Sequence, residues 1–284
     1  MKTIPKDVLK FFKIVIPFIL ILILLDRLIG NSFEYYYSKQ TSGVIHGTNF
    51  AIDSTKSQVL IYGSSRANRH YNPELISARI GKTVYNCGRD AQGLIYSSAI
   101  IAATIPRHKP KLVIIDILPN EFTFNEEEQL VSLLPYYNNP YIRPYINYAG
   151  NHQNVKLLSK SYPYNSLLTT VIVGNSKFNK SRVNENLGYL PLEGKLSKNF
   201  PRAAFKEDLK LIDSAKIKLF KDLLISLERQ QIKTVVIVSP VYRDYLAGPT
   251  IQNCKLITSK IKNVKFYDFT NNADYLDAAL FHDD

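Results

Sequence analysis

Ser65, Gly88, Asn120 and Asp283 are the residues of this 284-residue chain whose types and surroundings fit one chemistry, attack of a hydroxyl on an acyl carbon. A serine nucleophile needs a base to take its proton and a carboxylate to orient that base. It also needs donors aimed at the oxyanion, often a backbone amide at a tight glycine turn together with an asparagine side chain. Ser65 stands in "VLIYGSSRANRHYNP" (59–73), an apolar run followed by a Gly-Ser-Ser turn and a polar stretch. Gly88 closes "KTVYNCG" (82–88), Asn120 follows "PKLVIIDILP", and Asp283 lies in "ALFHDD" near the last residue. Each also has a plainer role. Serine caps helices, because its oxygen accepts from the orphan amides of the first turn. Gly88 can serve only a positive φ, Asn120 only a turn after Pro119, and Asp283 only as a solvated terminal residue. Arg66, beside the serine, reads as solvent-exposed, the alternative being a contact with an anionic group.

The elements before these residues must bring them together. The runs 57–63, 82–88, 110–118, 232–240 and 263–269 are short, β-branched and bounded by Gly, Pro or Asn. They barely alternate, as parallel strands buried on both faces should. Between them, "PELISARI", "GLIYSSAIIAATI" and "AKIKLFKDLLISLERQ" read as helices. The last repeats apolar residues at Ile217, Phe220, Leu223, Leu224 and Leu227, a packing stripe. The succession predicts an α/β fold of three layers with a flavodoxin-like parallel sheet, strand order 2-1-3-4-5. Ligands on such sheets bind at the carboxyl ends of the strands, where Ser65, Gly88 and Asn120 fall.

The four blocks, in this order, resemble the SGNH (GDSL-like) hydrolase and acyltransferase superfamily. The resemblance covers residues 57–120 and 232–284. It implies Ser65 as nucleophile and first oxyanion amide, Gly88 as second amide, Asn120 as side-chain donor, and Asp283 as the carboxylate of an Asp-x-x-His block. "LVIIDILPNE" is similar to the family's strand running into Gly-x-Asn-Asp, with Leu118 in place of the glycine. "GSSR" differs from Gly-Asp-Ser by one residue, as in membrane-anchored branches that resemble the teichoic-acid D-alanylation and alginate O-acetylation proteins. The family's histidine would fall at position 286, beyond Asp284, with a closing helix after it. The chain is therefore read as truncated, with a continuation that begins x-His; the alternative is a degenerate member that binds without catalysing. Among His46, His70, His108, His152 and His282, only His282 adjoins Asp283, and it serves as base only in a shifted register.

The remaining sequence bears on location and partners. "VLKFFKIVIPFILILILLDRLIG" (8–30) holds an uninterrupted apolar core from Ile14 to Leu25, preceded by Lys2, Lys6, Lys10 and Lys13. Val8 to Leu25 reaches a membrane-spanning length if Lys10 and Lys13 snorkel. Residues 1–31 are read as a cytoplasmic tail and uncleaved signal anchor, against a cleaved signal peptide or a buried core helix. The flanking lysines place the amino end inside. The tyrosines of "SFEYYYSKQ", within a juxtamembrane segment 32–56, suit the interfacial belt. Residues 57–284 form the main domain, outside the cytoplasmic membrane. Residues 122–205, rich in Tyr, Pro and Asn, are too long for an ordinary connection. They are read as a partly helical insertion over the strand ends, either a structural cap or a platform for sugars.

The net charge is +12, and residues 151–218 hold twelve Lys and Arg against five Asp and Glu. That excess is either a solvated face or a contact for anionic glycan or lipid headgroups. No zinc-finger, helix-turn-helix or RNA-binding signature accompanies it, so nucleic acid is not expected as a partner. Cys87 and Cys254 form no C-x-x-C motif. In the predicted strand order they lie at opposite edges, so no disulfide is expected between them. No cofactor and no metal is implied. The sequence therefore predicts a serine acyl-esterase or O-acyltransferase acting on a cell-envelope polysaccharide through a Ser65 acyl-enzyme. A membrane-embedded acyl donor protein is a partner by family analogy alone. The alternative is an inactive glycan-binding or assembly protein on the same fold.

Overall fold

The computed structural model describes residues 5–176, 187–246 and 248–282. The chain forms two compact units, Met1–His46 with Gly150–Val183, and Gly47–Ala149 with Asn184–Asp284.

The first unit is built on α1 (Lys6–Ser38), a helix of 33 residues. Nearly every large apolar side chain from Val8 to Leu25 is exposed on it. Pro17 removes one amide donor within the helix, which a membrane helix tolerates. This helix is long and apolar enough to cross a membrane. It also runs past the anchor's expected end at residue 31, because its second half has partners of its own. Tyr164 packs on Phe33 and Tyr37 there. Tyr37 is buried, whereas Tyr35 and Tyr36 are exposed. The helix α2 (Gly43–Asp53) lies within the expected juxtamembrane segment, and from Gly47 on it belongs to the second unit. Helices α6 (Gln153–Lys156) and α7 (Leu168–Asn175), with the 3-10 turn Tyr162–Leu167 between them, complete the described part of the first unit. The segment 122–205 is thus divided: residues 122–149 belong to the second unit, with 3-10 helices at Gln129–Tyr136 and Arg143–Ala149.

In the second unit the strands are β1 (Val59–Tyr62), β2 (Val84–Asn86), β3 (Leu112–Asp116), β4 (Ala204–Lys206), β5 (Lys233–Val238), β6 (Asp244–Leu246) and β7 (Val264–Asp268). Five of them form a parallel sheet in the order β2-β1-β3-β5-β7. That is the predicted flavodoxin-like order. The pair β4-β6 is a separate small sheet. The helices are α3 (Ser65–His70), α4 (Pro73–Ile80), α5 (Leu94–Thr104), α8 (Ser214–Arg229) and α9 (Pro249–Thr258). Right-handed crossovers put α4 on one face and α5, α8 and α9 on the other. Asn72, Asp213 and Gly81 delimit helices as their types suggest: the first two cap amino ends through side-chain oxygens, and Gly81 ends α4 in the left-handed region.

Burial on both faces, expected of every strand, holds for β1, β2 and most of β3. It fails at β5 and β7. There Thr234, Val236 and Val238 are buried, while Lys233, Lys265 and Tyr267 are exposed. The helices α8 and α9 pack on these strands, while Val235 and Ile237 on the other face are half-buried against the cluster of Val59, Ala67 and Ile114. Cys87 and Cys254 are both free thiols.

The amino end of α5 is held by charge. Glu126 accepts from the Gly93 and Ile95 amides, and Glu121 from Leu94. Lys216, on α8, lies 2.9 Å from Glu126 Oε1 and 3.0 Å from Glu121 Oε1, all three being buried.

Candidate functional site

The site begins where β1 ends. Gly63 has φ +148°, and a Cβ there would meet the Asp116 carbonyl oxygen at 2.6 Å. The turn is therefore open only to glycine. Ser64 follows as the N-cap of α3, its oxygen accepting from the Arg66 amide at 3.3 Å. The capping role that competes for Ser65 is filled by its neighbour. Ser65 is the first residue of α3, half-buried, and lines a pocket of about 600 Å³.

The pairing of β2 with β1 continues past the strand ends. The Cys87 amide donates to Ile61 O at 2.7 Å and the Arg89 amide to Gly63 O at 3.0 Å. This carries Gly88 against α3, where a Cβ would lie 2.5 Å from the Asn68 nitrogen. The Gly88 amide donates to Asn86 Oδ1 at 2.9 Å, and its carbonyl accepts from Asn68 Nδ2 at 3.1 Å. Asn120 sits in the turn after β3, its carbonyl accepting from the Thr123 and Phe124 amides. Neither Gly88 nor Asn120 is among the residues lining the pocket with Ser65. Asp283 lies outside the described residues. His282, its neighbour, lines the pocket, as does His70. His46, His108 and His152 do not.

Arg66 departs from the exposed position expected of it. Its guanidinium donates to Ser239 Oγ at 2.9 and 3.1 Å and to the Ser239 and Pro240 carbonyls at 2.5 Å each. It thereby ties α3 to the end of β5. The reason is Asp116, a buried carboxylate at the end of β3. Its Oδ1 is 3.9 Å from Arg66 Nε, and its Oδ2 accepts from Tyr71 OH at 2.5 Å. Burial holds the Asp116 carboxyl above its ordinary 3.8, against the opposing pull of Arg66 and Tyr71. A carboxyl raised in the folded state binds more protons there than in the unfolded chain. Its contribution to stability is therefore greatest in acid and falls as pH rises from 3.8 through the raised folded value. Asp116→Asn should flatten that part of the stability–pH curve. Denaturant unfolding of the full chain between pH 4 and 8 reads this, and an unchanged slope would remove Asp116 from the account.

His70 lines the pocket at the end of α3 and is itself an exposed residue. Partial desolvation at the pocket wall and the Arg66 charge hold its imidazole below the ordinary histidine value, so it is neutral at pH 7. No Asp or Glu lines the pocket among the described residues.

One part of the pocket had no signal in the sequence. Residues 187–196 run as a strap along it. The Leu190 amide donates to Asn68 O, Gly188 O accepts from Asn68 Nδ2, and the Leu196 amide donates to Phe281 O. Tyr189, Leu192 and Gly194 face the pocket from this strap. The strap is irregular backbone within the basic segment, with no period to reveal it.

No family model and no curated protein matches the chain. A solved structure described provisionally as a platelet activating factor from Streptococcus pneumonia is similar to it at 11% identity. The match covers 88% of this chain and 80% of that one, with a TM-score of 0.37. A superposition that loose carries no argument about fold or activity.

Proposed function

We propose that the chain is a membrane-anchored serine acyl-esterase or O-acyltransferase of SGNH type. The amino end lies inside, the main unit outside the cytoplasmic membrane, and an O-acylated cell-envelope polysaccharide is the substrate. The observation that carries this reading is the position of Ser65. It follows the capping serine, at the head of a helix that leaves the carboxyl end of a central parallel strand, and it opens into a pocket with two histidines. Pockets at that end of such sheets are where ligands bind. The tyrosines there, Tyr189, Tyr242 and Tyr275 among them, suit a sugar ring and its hydroxyls.

In this mechanism Ser65 Oγ attacks the ester carbonyl, and its proton passes to a histidine. His282 suits that role better than His70. His70 is five residues beyond Ser65 on the same short helix, so the two side chains point about 140° apart. The adduct then breaks its bond to the alcohol, which leaves with the histidine's proton, and water or a sugar hydroxyl, giving its own proton to the histidine, takes the acyl group and frees Ser65. The Gly88 amide would have to turn from Asn86 to serve the oxyanion, and the Asn120 side chain would have to approach it. That requirement favours the second reading, glycan binding without turnover.

A fluorophosphonate probe separates the two. The full-length chain in detergent should be labelled at Ser65, as mapped by peptide mass spectrometry. Ser64→Ala should keep the label and lose only a cap, about 1 kcal/mol of stability. Ser65→Ala should abolish it. No label on the folded wild type, with glycan binding that survives Ser65→Ala, would establish the binding protein instead.

A further inference from the structure

The end of the apolar stretch in α1 is a docking point. Asp26 is the first carboxylate after it, and this side chain collects four donors from residues 159–161. Ser159 Oγ and Ser161 Oγ donate at 2.6 and 2.7 Å, the Lys160 amide at 2.7 Å and the Ser161 amide at 3.1 Å. Lys160 Nζ pairs with Glu34 at 2.7 Å, two turns further along the helix. Gly30 lets the backbones meet: a Cβ there would lie 2.5 Å from the Lys160 carbonyl carbon. Residues 159–161 are thus fixed at the height of Asp26.

That height has a meaning if α1 spans a bilayer, the reading on which this inference rests. The hydrocarbon core is about 30 Å thick, and the helix rises about 1.5 Å per residue. The run from Val8 to Leu25 then nearly fills the core, and Asp26 stands at its outer boundary. Immediately before the docked residues come Val155 and Leu158, exposed at 64% and 71%. Lys156 between them and Tyr162 after them suit a headgroup layer, with the lysine over the ring at 5.9 Å. Higher on the helix the chemistry differs. Asn175, at the end of α7, donates to Tyr36 O at 3.0 Å. Tyr36 lies ten residues, or about 15 Å, beyond Asp26, so the exposed Ile172 of α7 sits clear of the hydrocarbon.

We propose that the α6 segment, through Val155 and Leu158, is seated in the leaflet around α1, with Asp26 setting its depth. The occupant of this apolar surface is lipid. Residues 159–161 join this surface to α1 at Asp26, the carboxylate that ends the helix's uninterrupted apolar run.

The chain contains no tryptophan, so single tryptophans report cleanly. Leu22→Trp, Leu158→Trp and Ile172→Trp, each in the full-length chain reconstituted in phosphatidylcholine vesicles, are compared with lipids brominated near the ester end or deep in the acyl chain. The Trp at 158 should emit to the blue and lose most of its intensity to the shallow bromines. The one at 22 should be quenched most by the deep bromines, and the one at 172 by neither. Val155→Trp repeats the 158 measurement should that variant misfold. A hydrated, unquenched Trp at 158 and 155, beside a quenched one at 22, would overturn the seating and leave the anchor standing. Blue emission at 158 without quenching would overturn it in favour of a protein covering the surface. An unquenched Trp at 22 would remove the anchor itself.

Discussion

Lys216→Met should lower the free energy of unfolding by about 3–5 kcal/mol, the usual consequence of removing one partner from a buried ion pair. The side chain is 2% exposed and its ammonium has no water to replace its partners. It holds Glu121 and Glu126, and it donates to the Glu121 and Phe124 carbonyls at 2.9 and 3.1 Å. Burial alone would lower its pKa, but the two carboxylates outweigh burial and hold it above the ordinary lysine value. Burial, then the neighbouring Glu121 charge, holds the Glu126 carboxyl above its ordinary 4.5 despite Lys216. Without the lysine that carboxyl must rise further. A raised carboxyl lowers stability only where the unfolded chain has lost the proton, so the deficit of Lys216→Met should shrink as pH falls toward 4.5. Adding Glu121→Gln should recover part of the loss, because one of the two facing charges is gone while its oxygen still accepts from Leu94. Urea unfolding of the full chain in detergent reads both effects. A deficit that is equal at every pH and indifferent to Glu121→Gln would mean that packing, not charge, is what the lysine supplies.

The same lysine marks where the sequence stopped being readable. α8 was legible as a helix from its apolar stripe, and Phe220, Leu223, Leu224 and Leu227 are indeed buried. Lys216 belongs to that buried side too, although by composition it counts among the cations of a basic, solvated face. Its partners are about ninety positions away, and no local pattern announces them. Arg66 repeats the lesson: Asp116 and Ser239, which draw it inward, lie at the ends of two other strands. The five strands of the main sheet and their order were legible because buried parallel strands leave short β-branched runs between helices. Four elements were not. The strands β4 and β6 are three residues each, too short for a period. The helix α9 has its amino end set by the Glu207 carboxylate on the Thr250 amide, a contact across forty-three residues. The second half of α1 is polar enough to read as a linker, and is helical because Asp26, Glu34 and Tyr37 are engaged by residues 159–164. At the site, Gly63 and Ser64 were legible in type, but which serine caps and which is presented is set by one hydrogen bond to Arg66.

Gly63→Ala should be among the most damaging single substitutions in the second unit, and for two separable reasons. Its φ of +148° lies where an L side chain is strained, at a cost of about 1–3 kcal/mol. The added Cβ would also stand 2.6 Å from Asp116 O and 2.9 Å from the Ala67 Cβ. Both belong to buried elements that cannot withdraw cheaply, which adds about 1–3 kcal/mol of overpacking. Gly81→Ala isolates the first cost. There φ is +63° and nothing lies within 4 Å of the new methyl, so the loss should be only about 1–2 kcal/mol. The difference between the two variants is the price of close packing between the β1 turn, β3 and α3. If both unfold at the same urea concentration, with the same slope, the turn is not clamped against Asp116 and α3 is free to move. If Gly63→Ala is the weaker by several kcal/mol and also loses fluorophosphonate labelling under conditions where it is still folded, then the turn does more than hold the sheet together. It sets the position of Ser65, because the residue that can neither twist nor shift stands two places before it.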